Sequence, residues 1–272
     1  FLWLRQIAVG LFLFQRLKKT GLTAEPVGRR CGGIVKSLWS ASFCGPIAVS
    51  SILYALIFRE VFTRLGGVAD CLYLCEMHAW EKALNAAKKE ISPRTRTIGH
   101  QHSSVSSNDL GYFYDRSETV RTGEPSDLPL PDVLACNGKH LFDFLSGSGY
   151  PGLIETEAVR YMYLDKVLSL PRAPRKGRPV LLVAGPYNRN EARSLAGLVA
   201  AAFPSAGGFD IWFKGHPAMP LESIFRELEL NSGTGFVIKH GNISEYLNKA
   251  WAVLVPTSTV AIEALGAGCD VI

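Results

Sequence analysis

Charged residues are scarce in this chain: Asp, Glu, Lys and Arg make up 19% of its 272 residues, and the formal net charge is only +5. It has no dense run of Arg and Lys with interleaved aromatic residues, which is the usual sequence sign of a nucleic-acid-binding surface. We therefore expect no nucleic acid among its partners. The mild positive charge fits an anionic substrate or an anionic membrane surface, and a hydrophobic content of 47% is typical of a globular protein.

Cysteine is also sparse, and its spacing excludes the common metal and disulfide frameworks. The six cysteines are scattered, and the one close pair, Cys71 and Cys75, has no second pair that could complete a zinc site. We expect reduced thiols, as in a cytosolic protein, and no metal site.

A long uninterrupted apolar segment is missing as well, although a membrane-spanning helix needs about 20 apolar residues. Residues 1–14 are interrupted by Arg5 and Gln6, and the uncharged residues 43–58 include Gly45 and Pro46. Residues 43–58 can form a transmembrane helix or a buried or interfacial one, and their composition favours the second alternative. The N-terminal residues show no cleavage-site pattern of a secretory signal.

Regular alternation of strand and helix patterns dominates the second half of the chain. This pattern predicts a parallel sheet with helices on both faces, and a chain of this length suits two domains. We place an N-terminal domain at 1–170, a proline-rich linker at 171–179 and a C-terminal domain at 180–272. Because the chain starts at Phe1 without Met and ends at Ile272 within a predicted strand, we interpret it as a fragment.

Strands and helices are predicted in the first half of the chain as well, although they alternate regularly only in the second half. Strands are predicted at 68–74, 95–99, 132–136, 180–184, 209–213, 236–238, 252–255 and 271–272. Helices are predicted at 83–89, 140–145, 190–203, 221–228, 244–250 (with Ser244 as its N-cap) and 260–265. Residues 105–130 are predicted to form a long loop, and 157–165 a strand or a helix.

Two predicted strands of the C-terminal domain end in polar clusters. Residues 209–213 lead into Lys214, Gly215, His216 and Pro217, and residues 252–255 lead into a hydroxyl cluster before a helix. Parallel strands deliver their carboxyl ends to one edge of a sheet, where open α/β sheets bind ligands. A cation, an imidazole, hydroxyls and a helix N-terminus at that edge suit a phosphate-bearing ligand.

These motifs resemble the donor-binding domain of GT-B glycosyltransferases. The sequence STVAIEALGAG at 258–268, followed by Asp270, is similar to the closing signature of that class. His216 and Pro217 together with Ser258 and Thr259 resemble the paired motifs of bacterial sialyltransferases, polysialyltransferases and capsule Kdo transferases. YLCEMHAWE at 73–81 and HQHSS at 100–104 resemble bacterial surface carbohydrate biosynthesis proteins of the capsule and O-antigen type.

The resemblance implies an α/β fold with two Rossmann-like domains facing across a cleft, the C-terminal one truncated. It also implies transfer of a sugar from a nucleotide-activated donor, here a CMP-linked acidic sugar, to a surface glycan or a lipid-linked acceptor. The donor is a substrate, no cofactor is implied, and the absence of an Asp-x-Asp motif agrees with metal-independent transfer. We expect the protein in the cytoplasm, in peripheral contact with the inner face of the cytoplasmic membrane.

The expected donor site has several members. Lys214 and His216 would contact the donor phosphate, and Pro217 would fix the turn. A hydroxyl cluster would cap the following helix, bind the phosphate, or both, and its members are Thr257, Ser258 and Thr259. By the resemblance Glu263 would hold the ribose, the alternative being a solvated helix residue. Gly185 would allow close approach of the backbone to the ligand or simply form a tight turn.

Transfer to a hydroxyl also needs a general base, which we expect from the N-terminal domain. Glu76, at the end of a predicted strand, is the favoured candidate, with Glu81 and His102 as rivals. Glu81 can instead compensate the partial positive charge at the N-terminus of the following helix, and His102 can be a hydrogen-bonded structural residue. For Arg160 a surface salt bridge is the simpler interpretation, although it could pair with an acidic sugar.

Two other functions remain open from the sequence alone. A sugar-nucleotide epimerase or a polyol-phosphate transferase of the same fold would need the same phosphate site. A non-catalytic, membrane-associated scaffold in polysaccharide assembly would use residues 43–58 and would bind no nucleotide.

Overall fold

The computed structural model describes residues 2–20, 32–121, 124–125, 128–165, 177–204, 207–230, 235–256 and 258–272. The chain divides into two compact units, Phe1–Ala158 and Val159–Ile272. This division lies twelve residues before the end that the sequence suggested for the first domain. Residues 171–176 of the predicted linker lie outside the described residues, so the linker stays a prediction.

The N-terminal unit combines three N-terminal helices with an α/β layer. Its helices are α1 (Leu2–Thr20), α2 (Gly32–Ser42), α3 (Gly45–Leu65), α4 (Ala79–Ile91), α5 (Arg116–Thr119) and α6 (Lys139–Leu145). Its strands are β1 (Asp70–Cys75), β2 (Arg96–Gln101), β3 (Val120–Arg121), β4 (Glu124–Pro125), β5 (Val133–Asn137) and β6 (Leu153–Thr156). Strands β1, β2, β5 and β6 pair in that order in a parallel sheet, as expected for the Rossmann-like N-terminal domain that the resemblance implied.

The core of this unit lies between the sheet and its helices. Cys75, Leu134, Cys136 and Leu145 are fully buried there. The predicted long loop at 105–130 is only partly correct, because it contains a 3-10 turn at Leu110–Tyr112, helix α5 and the antiparallel pair β3–β4. Strand β6 was not predicted.

Helix α3 is the element that bears on membrane contact. Among the described residues, α3 is the single helix that is both long enough and apolar enough to cross a membrane, judged by length and composition alone. Core helices of soluble proteins meet the same test. Ala48, Ile52 and Phe62 on this helix are buried, and the backbone of Gly10 on α1 approaches Ile52 so closely that a β-carbon there would lie 3.0 Å from its Cδ1.

The C-terminal unit is a Rossmann-like layer. Its strands are β7 (Val180–Ala184), β8 (Asp210–Lys214), β9 (Phe236–Lys239), β10 (Ala252–Leu254) and β11 (Asp270–Val271). Its helices are α7 (Arg189–Ala202), α8 (Glu222–Glu227), α9 (Ser244–Leu247) and α10 (Val260–Gly266), preceded by a 3-10 turn at Val159–Tyr161. Each predicted strand and helix of this unit is confirmed, although α9 ends three residues earlier than predicted. The predicted N-cap Ser244 is wrong: Ile243 holds that position, and the Asn242 side chain accepts from the N–H of Ser244.

The order of the strands positions the candidate site. The parallel sheet runs β11-β10-β7-β8-β9, so the chain begins at the central strand, builds one side and then returns to build the other. All five residues of β7 are buried, as expected for a strand covered on both faces. The direction of strand addition therefore reverses between β7 and β10, and ligands bind beyond the carboxyl ends of the strands at such a point.

Candidate functional site

A cavity of about 420 Å³ lies beyond the carboxyl ends of the C-terminal sheet. Loops that follow β7, β8, β9 and β10 line it, so residues far apart in sequence meet here. Its lining residues are Ala184, Gly185, Lys214, Gly215, His216, Pro217, Gly241, Asn242, Ile243, Ser258 and Val260. The structure thus brings together Gly185, Lys214, His216, Pro217 and Ser258, five of the residues that the sequence proposed for the donor.

Lys214 supplies a cation at the end of β8. Its side chain reaches the cavity although the residue is only 9% exposed, and its Nζ donates to the backbone oxygen of Gly215 at 2.8 Å. An ammonium group carries three N–H donors, so this contact leaves donors for an anion. A cation shielded from water interacts more strongly with an anion than one on an open surface.

His216 is exposed at the mouth of the cavity, and its hydrogen bond indicates which ring nitrogen of the neutral imidazole carries the proton. Its Nδ1 accepts from the backbone N–H of Ala218 at 3.2 Å, and its ring packs edge-on against Tyr187 with centroids 5.3 Å apart. A nitrogen that accepts a hydrogen bond carries no proton, so the geometry assigns the proton of the neutral imidazole to Nε2. His216 can therefore donate from Nε2 to a phosphate oxygen.

The turn that presents His216 depends on glycine. The N–H of Met219 donates to the backbone oxygen of His216 at 2.8 Å, and a β-carbon on Gly215 would lie 2.7 Å from the backbone oxygen of Met219. Gly185 faces the same turn: its N–H donates to the oxygen of Lys214 at 2.8 Å, and a β-carbon there would sit 3.4 Å from the Cα of Gly215. Two glycines thus allow two loops to approach each other at the cavity wall.

The hydroxyl cluster divides between the cavity and the helix that follows. Ser258 lines the cavity, and its Oγ accepts from the N–H of Val260 at 3.3 Å, so it combines capping with access to a ligand. Thr259 does not line the cavity; its Oγ1 accepts from Nη2 of Arg160 at 3.3 Å. Thr257 lies outside the described residues, so its predicted role stays a prediction.

Glu263 on α10 is not the solvated residue that one interpretation expected. It is only 7% exposed. Burial, and after it the interaction with the Glu263 carboxylate, raises the pKa of Tyr163 above its usual value. Glu263 is not among the residues that line the cavity, so a ribose role would require the ligand to extend toward α10.

The electrostatic character of the cavity is positive. Lys214 and His216 line it, and in the part of the chain that the structure describes no carboxylate does. A neighbouring cavity of about 310 Å³ shares Lys214 and His216, and both Lys239 and the carboxylate of Glu222 line it as well. Walls of one charge sign concentrate ligands of the opposite sign, so the larger cavity, without such a carboxylate among its described lining residues, favours an anion.

In the N-terminal unit, two predicted base candidates have different surroundings. Glu76 follows β1 and is partly exposed; its Oε2 lies 3.0 Å from Nε2 of His78, and its Oε1 accepts from Oγ of Ser103 at 3.4 Å. Glu81 is only 2% exposed, and its carboxylate accepts from the N–H groups of Glu76 at 3.0 Å and of Met77 at 2.8 Å. Glu81 therefore holds the loop that presents Glu76.

The remaining base candidate, His102, follows β2 at the same end of the sheet. Its backbone N–H donates to the oxygen of Cys75 at 3.3 Å, and it is partly exposed. His78 was not among the predicted site residues, although its contact with Glu76 could have been suspected from their spacing of two residues. Within the described ranges, no group of three or more His, Cys, Asp or Glu side chains could hold a metal ion.

Comparisons with known proteins place the fold. No protein-family model and no curated protein sequence matches this chain. Among solved structures, the UDP co-structure of S. aureus MnaA is 13% identical, with a TM-score of 0.52 over 98% of this chain and 76% of that chain. A glycosyltransferase from Rickettsia africae ESF-5 is 11% identical, with a TM-score of 0.46 over 84% of this chain. The GtfA/B complex is 13% identical, with a TM-score of 0.47 over 80% of this chain.

The chain spans 62% of the Rickettsia glycosyltransferase chain and 44% of the GtfA/B chain. At such low identities the similarity concerns the fold. Taken with the two parallel sheets and the strand order of the C-terminal unit, the similarity to MnaA shows that this α/β chain has a Rossmann-like GT-B fold, as the family resemblance implied.

Proposed function

We propose that this chain belongs to a glycosyltransferase that moves a sugar from a nucleotide-activated donor to a glycan or lipid-linked acceptor. The cavity at the carboxyl ends of β7, β8 and β10 carries this proposal, because it joins a largely buried ammonium, an imidazole N–H and a hydroxyl.

The chemistry of transfer explains why these groups are needed. When the bond between the anomeric carbon and the donor phosphate breaks, negative charge grows on the phosphate oxygens. Lys214 and the Nε2–H of His216 would stabilise that charge more strongly than the charge of the intact donor. Ser258 would donate its hydroxyl proton to a phosphate oxygen while its own oxygen keeps accepting from Val260.

The acceptor hydroxyl must lose its proton as it attacks the anomeric carbon. We assign this step to Glu76, whose carboxylate is partly exposed and is held by His78 and Ser103. His102 remains the rival base, whereas the buried and hydrogen-bonded carboxylate of Glu81 suits the loop-holding role.

The nucleotide of the donor is the finer part of the proposal. The His-Pro and Ser-Thr motifs resemble enzymes that use CMP-linked acidic sugars, whereas the similar MnaA structure contains UDP. We propose a CMP-linked donor, with UDP as the second candidate. The acceptor would be a surface glycan or its lipid-linked precursor, at the inner face of the cytoplasmic membrane.

A nucleotide-binding survey tests the proposal. Calorimetric titration of CMP, CDP, UDP and GDP into the protein should show clear preference for one base, CMP in our proposal. His216→Ala should weaken that binding by about tenfold or more, since a hydrogen bond to a charged group contributes about 1.5–3 kcal/mol. His140→Ala is the matched control, because His140 is an exposed histidine on α6 of the N-terminal unit. Equal weak binding of all four nucleotides, unchanged in His216→Ala, would contradict the donor site.

The same phosphate site would also serve a sugar-nucleotide epimerase or a polyol-phosphate transferase. An epimerase would have to hold the same donor phosphates, so Lys214 and His216 would bind them there as well. Product analysis separates the reactions: transfer yields a free nucleotide and an extended acceptor, whereas epimerisation yields an isomeric donor without an acceptor. A scaffold protein would bind no nucleotide at all.

A further inference from the structure

The positive charge of this chain is concentrated at its N-terminus. Residues 1–59 contain eight Lys and Arg and a single acid, Glu25, out of 29 Lys and Arg and 24 Asp and Glu in the whole chain. The remaining residues therefore hold 21 basic and 23 acidic side chains, so the whole positive excess of the protein lies in this segment. The basic residues are Arg5, Arg16, Lys18, Lys19, Arg29, Arg30, Lys36 and Arg59.

The same segment exposes large apolar side chains. On α1, Leu4 is 68% exposed, Phe12 63% and Leu13 49%. A groove of about 720 Å³ runs between α1 and α3, with apolar walls that include Leu13 and Ile52. Arg5 and Arg59 also line this groove. Apolar side chains beside cations, on helices almost without acids, match a surface that is apolar inside and anionic outside, as a bilayer with anionic lipids is.

The packing of α3 determines whether this helix could cross such a bilayer or only lie on its surface. Phe62 is 5% exposed within the core of the N-terminal unit, and Phe58 packs against Trp80 with ring centroids 6.2 Å apart. Arg59 forms an ion pair with Glu90 at the end of α4. If α3 crossed a membrane in this arrangement, it would carry the charged helix α4 into the hydrocarbon, which is very costly.

We propose that α1 and the adjoining side of α3 lie on the surface of an anionic bilayer without spanning it. The exposed apolar side chains of α1 enter the boundary between headgroups and acyl chains. The basic side chains near its C-terminal end pair with lipid phosphates. The nucleotide cavity plays no part in this docking, so its test is independent of the proposed function.

Vesicle co-sedimentation of the full chain tests the charge contribution. Binding should be strong to vesicles of 70% phosphatidylcholine and 30% phosphatidylglycerol, and weak to pure phosphatidylcholine. The triple variant Arg16→Gln, Lys18→Gln, Lys19→Gln should lower the partition coefficient by roughly a hundredfold, at about fivefold for each cation near the surface. Lys249→Gln, at an exposed lysine of the C-terminal unit, is the control and should change nothing.

A second pair of variants tests the apolar contribution. Leu4→Ser combined with Phe12→Ser should lower binding to the anionic vesicles at least about tenfold, because each side chain loses apolar burial. Leu198→Ser, at a leucine of α7 that is 69% exposed, is the matched control. Circular dichroism of each variant verifies the fold.

Three results would overturn the docking model. Equal binding to neutral and anionic vesicles would remove the role of the cations. Resistance to extraction with alkaline carbonate would indicate a spanning helix. If Leu4→Ser with Phe12→Ser abolished self-association in solution but left vesicle binding unchanged, a second copy of the chain would be the true occupant.

Discussion

Two glutamates five residues apart have opposite roles in this account, and conservative substitutions separate them. Replacing Glu81 by Gln should destabilise the N-terminal unit, whereas replacing Glu76 by Gln should leave it folded and remove the proposed base. Both substitutions make the same chemical change, Glu76 in the loop after β1 and Glu81 in the first turn of α4, so each is the matched control for the other.

The magnitude for Glu81 follows from its contacts. The side chain is 2% exposed, and both of its oxygens accept backbone N–H groups, Oε2 from Met77 at 2.8 Å and Oε1 from Glu76 at 3.0 Å. A hydrogen bond to a charged group contributes about 1.5–3 kcal/mol, and the amide of Gln would turn an NH₂ toward one of these donors. We expect a loss of about 2–4 kcal/mol of unfolding free energy. Met77 has a φ of 60, which is unfavourable for a residue other than glycine, and it would lose the hydrogen bond to Glu81 that helps to hold it there.

The effect of Glu76→Gln on stability should be small. Its side chain is 37% exposed and contacts a histidine that is 60% exposed, and such surface pairs contribute about 0–1 kcal/mol. Its effect on the proposed transfer should be large, since loss of a general base lowers rates by about 10²–10⁴-fold.

Guanidinium unfolding followed by tryptophan fluorescence measures the stability of both variants. Amide hydrogen exchange at residues 76 and 77 gives the local readout, because these two N–H groups should lose protection in Glu81→Gln. Equal destabilisation by both substitutions, or a loss below about 1 kcal/mol at Glu81, would refute the division of roles.

Further predictions concern a buried ion pair and the glycines. Partial burial alone would raise the pKa of Asp132, but hydrogen bonds from Lys88 and Thr97 outweigh it and hold that pKa below its usual value. The stabilisation by ionised Asp132 is thus present above about pH 4 and is lost as pH falls through the pKa of the folded protein. The unfolding free energy of the native protein should therefore fall more steeply below pH 4 than that of Asp132→Asn. Urea unfolding at several pH values measures this difference. Gly215→Ala should abolish nucleotide binding by displacing the His216 turn, since its β-carbon would meet backbone at 2.7 Å. Gly197→Ala, where nothing lies within 4 Å, should keep binding and raise the unfolding free energy by about 0.5–1 kcal/mol.

The sequence predicts the C-terminal unit well because one signal dominates it. Short apolar runs such as Val180–Ala184 are buried on both faces, and they alternate with segments in which apolar residues recur with the period of a helix. Strand β6 escapes prediction because Leu153–Thr156 is short and two of its four residues are exposed, which leaves little pattern. The N-cap at Ser244 fails because Asn242, two residues earlier, caps the same turn.

Part of the candidate site is predictable for a topological reason. Parallel strands bring Lys214, His216 and Ser258 to one edge regardless of the details of packing. The contact between Tyr163 and Glu263 is a different case, because residues 100 positions apart meet through tertiary packing that no local pattern encodes. The burial of Glu81 likewise depends on how the preceding loop folds over it, since its sequence neighbours suit an exposed helix start.

The proposed donor site requires one anion to bind between the loop after β8 and the loop after β10. Calorimetric titration of the preferred nucleotide into Lys214→Met, Ser258→Ala and the control Lys249→Met tests this claim. We predict that Lys214→Met weakens binding about tenfold or more and Ser258→Ala about three- to tenfold, with no change for Lys249→Met. Unchanged affinity in both cavity variants, with the fold intact, would contradict the claim.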